Sequence, residues 1–158
     1  MEQGDTIQAV RAVLEKVSDP EIPVLTIGDL GIVRDVQVVD GTVTVIITPT
    51  YTGCPAMDMI AMQIRLALLE EGYRHVVISS VLSPAWTTDW MTDSGKKKLK
   101  EYGITPPDPH FTIPADGVEC PQCHSHDTRL LSLFGSTACK SLYQCNTCKE
   151  PFDFFKCH

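Results

Sequence analysis

Across residues 6–17 the apolar positions Ile7, Val10, Val13, Leu14 and Val17 recur every three or four residues, which puts them on one face of a helix. Asp5 stands where an N-cap would. Asp19-Pro20-Glu21-Ile22-Pro23 ends the segment, because two prolines cannot continue a helix. Over residues 31–39 the period shortens toward two, and Ile32, Val36 and Val38 share one face of a predicted strand. Asp40-Gly41 is a two-residue hairpin turn, and residues 42–48 form a β-branched return strand.

After the loop 49–54, Pro55 suits the first position of a helix that runs to about Glu71, with Gly72 as its C-cap. Apolar residues lie almost all round that helix (Met57, Met59, Ile60, Met62, Ile64, Leu66, Leu68, Leu69), so it is expected to be a core helix. Residues 75–82 read as a third strand and 88–102 as a second long helix closing at Gly103. The order α-β-β-α-β-α predicts a small α+β domain with a mixed three-stranded sheet over residues 1–104. A proline-rich linker follows at 105–117. A smaller module at 118–158 has short strands expected near 130–134 and 142–144.

That smaller module cannot rest on a large apolar core, and its cysteines supply the alternative. Cys120-Pro121-Gln122-Cys123 and Cys145-Asn146-Thr147-Cys148 are two C-x-x-C pairs separated by 21 residues. Two such turns complete a tetrahedral four-sulfur shell, so a zinc-ribbon-like module with one structural zinc is expected. Rubredoxin-like iron is the rival for the same ligand set. It is weakened by the lack of glycine after either second cysteine. A haem c reading of Cys120–His124 needs an export signal, and the N-terminus shows none.

Charge and cysteine usage then exclude several roles. Nine of the 13 Lys/Arg and sixteen of the 20 Asp/Glu lie in residues 1–117, so residues 118–158 hold four of each. A near-neutral ribbon argues against nucleic acid as a partner. No run reaches the length of a membrane span, so a cytoplasmic protein with reduced thiols is expected. The odd total of seven cysteines agrees with that.

Cys139, Cys157, His124 and His126 read as surface or terminal residues without a role. Cys54 differs. It sits between Gly53 and Pro55 at a helix start, where unpaired amides and the helix dipole would favour a thiolate. No His–Asp pair accompanies it, so metal or cluster capture suits it better than hydrolysis. Asp19 and Glu21 are either a bare helix terminator or acidic groups brought to Cys54. Of the two tryptophans, Trp90 is expected to pack on the core and Trp86 to be an exposed anchor for a partner.

Together Asp19–Pro23, Gly28-Asp29-Leu30-Gly31, Thr48–Pro55 and the stretch from Trp86 to Trp90 resemble the SufT-related domain of iron–sulfur cluster assembly. Cys120–Cys123, Phe134–Lys140 and Glu150–Phe155 are similar to the C-terminus of the PaaD family, a component of phenylacetyl-CoA epoxidase systems. The resemblance implies an accessory maturation role without epoxidation. The client would be the iron–sulfur reductase or the di-iron oxygenase subunit, and a zinc-ribbon adaptor holding subunits together is the alternative. It also implies that Cys54, Asp19 and Glu21 are the cluster- or metal-transfer residues. One cysteine cannot fill a labile iron–sulfur cluster's shell, so a homodimer or a complex with another chain is expected to complete it.

Overall fold

A computed structural model describes residues 3–51, 53–106, 117–137 and 139–155. Helix α1 (Gln3–Leu14) buries Val10 and Leu14 and puts Asp5 in its first turn rather than at its cap. The following loop is tied down by Asp19. One carboxylate oxygen of Asp19 accepts from the amides of Glu21 and Ile22, each at 2.8 Å.

The short helix α2 (Ile27–Leu30) is closed by a reciprocal capping box. Thr26 Oγ1 accepts from the Asp29 amide and Asp29 Oδ2 accepts from the Thr26 amide, both at 3.1 Å. Strands β1 (Val33–Val39) and β2 (Thr42–Ile47) form the expected hairpin, and both turn residues adopt positive φ, as a type I′ turn requires. Helix α3 (Ala56–Glu70) leads to β3 (His75–Ser80), which lies parallel to β2. The first sheet therefore has the mixed order β1-β2-β3.

Two local expectations fail for identifiable reasons. The predicted helix 88–102 is interrupted: a 3-10 turn (Thr88–Trp90) precedes α4 (Asp93–Tyr102), with Met91 and Thr92 extended between them. Thr92 Oγ1 accepts from the Gly95 amide at 2.9 Å and bonds Asp29 Oδ1 at 3.2 Å, so the hydroxyl starts a helix there instead of continuing one. Helix α3 is not buried all round. Ala56, Ile60, Ile64 and Leu68 face the core, while Met59, Met62, Leu66 and Leu69 are exposed.

The second sheet has the order β4-β7-β6-β5, built from β4 (Ile104–Thr105), β5 (Thr128–Ser132), β6 (Lys140–Cys145) and β7 (Pro151–Phe155). Thr105, expected at the head of the linker, instead pairs in parallel with β7 and donates its hydroxyl to the Glu119 carbonyl at 2.7 Å. Most of the expected linker, residues 107–116, lies outside the described residues, as do Cys157 and His158.

The modules share apolar packing. Ile104, Cys139 and Phe155 belong to the same buried cluster as Val10, Leu30, Ile60 and Trp86. Val118, Tyr143, Phe152 and Phe154 form a separate small core beside the ribbon cysteines.

Candidate metal centre and thiol pocket

In the ribbon, each C-x-x-C pair is a backbone knuckle of one geometry. The amide of the residue after the second cysteine bonds back to the carbonyl of the first: His124 to Cys120 at 2.9 Å and Lys149 to Cys145 at 3.0 Å. His124 and Lys149 adopt φ of 63° and 69°, so both knuckles take the left-handed turn without glycine. Missing glycine is thus no guide to which metal is held. Strands β5, β6 and β7 bring the two knuckles face to face.

The four sulfurs of Cys120, Cys123, Cys145 and Cys148 lie within 4.8 Å of one another. Cys120 and Cys148 are 3.7 Å apart and Cys123 and Cys145 3.5 Å. An S4 tetrahedron with metal–sulfur bonds of about 2.3 Å has edges of roughly 3.8 Å, so the donors fit zinc with no open position. The Gln122 and Cys148 amides approach the Cys120 and Cys145 sulfurs at 3.4 and 3.5 Å. Bound there, zinc would supply cross-linking between the knuckles rather than chemistry on a substrate.

Cys54 lies at the start of α3 in the first domain, half-buried, its carbonyl accepting from the Met57 amide. It lines a small cavity with Asp19, Glu21, Thr50 and Cys139 over a floor of apolar side chains that includes Ile60 and Phe155. The free space is about 10 Å³, room for one water-sized body. The structure therefore brings together the three residues expected to act jointly, Cys54, Asp19 and Glu21.

Burial pushes the Cys54 thiol above its ordinary range. The Ala56 amide and the Tyr51 side chain pull the other way, and the Glu21 charge adds to the rise. The sequence-based expectation of a thiolate favoured by the helix start is thus reversed, because desolvation outweighs the single amide that reaches the sulfur. Asp19 and Glu21 are also held toward their protonated forms, by burial first and, at Glu21, by the Asp19 charge as well.

Cys139, read from sequence as a surface thiol, is the residue that reasoning missed. It is 4% exposed and sits between Thr137 Oγ1 at 2.9 Å and Glu21 Oε2 at 3.7 Å. Burial lifts its thiol to about 11. Its position follows from β6, which begins one residue later and lays that end of the ribbon against the first domain.

Trp90 packs against the core as expected, but Trp86 is not exposed. Trp86 is 3% exposed, with its indole N–H donating to the Leu30 carbonyl at 2.8 Å and its ring edge-to-face with Phe155 at 6.1 Å. It therefore cannot be an exposed partner anchor. Trp90 is half-buried under the Arg34 guanidinium, which lies 3.9 Å from its ring centre. Exposed apolar residues lie elsewhere, among them Met59, Met62, Leu66 and Leu69 on α3 and Leu130, Leu131, Leu133 and Phe134 at the ribbon's edge. Among the described residues, no helix is long and apolar enough to cross a membrane.

Fold and sites together define a two-module protein: an α+β domain of the iron–sulfur assembly type locked to a four-cysteine zinc ribbon. Residues 7–76 match the iron–sulfur cluster assembly protein family, and residues 105–156 match the PaaD zinc beta ribbon domain. A crystal structure of a domain of unknown function, DUF59, from Bacillus anthracis superposes with a TM-score of 0.58 at 27% identity, covering 61% of this chain and 93% of that one. The chain is 36% identical over 96 residues to an Fe-S protein maturation auxiliary factor of Porphyromonas gingivalis (strain ATCC BAA-308 / W83), covering 60% of this chain and 90% of the relative. Over 154 residues it is 49% identical to an Escherichia coli (strain K12) protein provisionally named as a subunit of the 1,2-phenylacetyl-CoA epoxidase, covering 96% of this chain and 93% of the relative. The chain belongs to the PaaD family.

Proposed function

We propose that this protein is an accessory maturation factor of a phenylacetyl-CoA epoxidase system. It helps a client subunit acquire its iron–sulfur or other metal centre and does not itself epoxidise. The observation that carries this reading is the Cys54 cavity. Its donors, a thiol beside two carboxyl groups, are metal ligands, and its free space of about 10 Å³ is that of one water-sized body. Names of relatives support it: one is an Fe-S protein maturation auxiliary factor, another a subunit of the epoxidase. The client is the iron–sulfur reductase or the di-iron oxygenase subunit, and Cys54 is the transfer residue, with Glu21 beside it. Asp19 holds the loop that carries Glu21. The ribbon, with one zinc, docks and stabilises.

The test is to co-produce the client subunits with the Cys54→Ser variant and measure their iron and sulfide. Retained folding with reduced client loading is expected. Full loading would remove Cys54 from the mechanism.

One observation favours a second reading, an adaptor that holds epoxidase subunits together. The ribbon's edge strand β5 and the turn after it expose Leu130, Leu131, Leu133 and Phe134. An adaptor predicts that Cys54→Ser is silent, whereas Leu131→Ser with Phe134→Ser releases a subunit in pull-down.

A further inference from the structure

The cavity at Cys54 is walled by both modules, and its second thiol comes from the ribbon. Cys139 lies opposite the first domain's loop, with its Sγ 3.7 Å from Glu21 Oε2, and lines the same space as Cys54. We propose that Cys139 acts with Cys54 and Glu21 as a second, intrachain thiolate ligand, so that the two modules together bind one thiophilic divalent transition-metal ion. This deepens the maturation reading, on which it rests, by assigning the cargo class of that site and a ligand beyond the first domain.

Two observations point there. The space fits one ion and is too small for a preformed cluster. Two sulfurs and a carboxylate are a donor set for iron(II), cobalt(II) or zinc(II), not for magnesium or calcium.

The site also differs from the ribbon's. Among the described residues, only the four ribbon cysteines form a cluster of three or more ligands already within 4.8 Å of one another. Binding at the cavity must draw its ligands inward, which suits an ion that is handed on rather than one that is kept. As the ion enters, each thiol gives its proton to solvent and no electron is transferred.

The full chain, its ribbon loaded with one zinc, is titrated anaerobically with cobalt(II). Sulfur-to-cobalt charge-transfer absorption is followed, with the Cys54→Ser/Cys139→Ser double variant as the baseline. One further cobalt per chain is expected. Cys139→Ser should weaken it by more than the roughly 10–100-fold that loss of an outer-shell partner costs. Cys139→Ala, which preserves a small apolar side chain there, should do the same, and retained ribbon zinc reports that the fold survives.

Wild-type affinity and absorption in both Cys139 variants, with loss in Cys54→Ser, would overturn the role of Cys139 and leave Cys54 as the transfer residue. No further cobalt in the wild type would overturn the metal site itself. Client loading by Cys54→Ser separately decides the maturation reading.

Discussion

Replacing Phe155 with alanine removes the ring that seats the ribbon's last strand against the first domain. Phe155 is 1% exposed and lies edge-to-face on Trp86. Phe→Ala in a core costs about 3–5 kcal/mol, depending on how far neighbours collapse into the space. Here collapse is restricted, because Trp86 is pinned by its hydrogen bond to the Leu30 carbonyl at 2.8 Å. The upper part of the range applies, about 4–5 kcal/mol. At about 2–4 °C per kcal/mol for a chain of this size, the melting temperature should fall by roughly 8–20 °C. Tryptophan fluorescence during urea and thermal unfolding is the assay, since both indoles, Trp86 and Trp90, lie in the first domain while the substitution lies in the ribbon. Removing ribbon zinc with a chelator should destabilise the same signal. A loss under about 1 kcal/mol, within the reach of ordinary surface substitutions, would refute the shared packing of the two modules.

Two further outcomes test the frame around the pocket. Asp29 is held below the usual carboxylate range: burial alone would raise it, but hydrogen bonds from Lys98 at 2.7 Å and from the Thr26 amide outweigh that. Its contribution is therefore full above the unfolded value of about 3.9 and is lost as pH falls through the lower folded value. Asp29→Asn should cost about 1.5–3 kcal/mol at neutral pH and flatten the acid limb of a pH–stability curve, and an unchanged acid limb would contradict the assignment. On α3, Met62→Gln should change stability by less than about 0.5 kcal/mol, whereas Ile64→Ala, two residues on, should cost about 2–5 kcal/mol in the same denaturation assay. Met62 is 63% exposed and Ile64 is fully buried.

Features set by neighbours in sequence were legible from the chain alone. The knuckles needed only C-x-x-C spacing and the hairpin only Asp40-Gly41, and α3 begins at Ala56, one residue after the Pro55 expected at its first position. What was not legible depends on distant partners. Cys139 and Glu21 are 118 positions apart, and no local pattern distinguishes Cys139 from a surface thiol. Trp86 and Trp90 are alike in sequence, and only the Leu30 carbonyl and Phe155 decide which is buried. Helix α3 is apolar on every side, so its sequence does not say which side the sheet and α1 cover. The break before α4 rests on Thr92 meeting Asp29, a contact 63 positions long.

The arrangement makes the two metal-binding regions interdependent. Cys139 sits one residue before β6, and β6 carries Cys145 at its other end. The small core beside the ribbon cysteines leaves the knuckle ends of β6 and β7 dependent on the metal cross-link, while Cys139 and Phe155 at their other ends pack in the first domain's core. Filling the S4 shell therefore steadies β6 and β7, at whose other ends Cys139 meets Glu21 and Phe155 meets Trp86. A chain without the ribbon would lack that wall. Here the ribbon supplies that wall in cis, so the S4 metal, although closed to chemistry, steadies the strand beside which Cys139 sits.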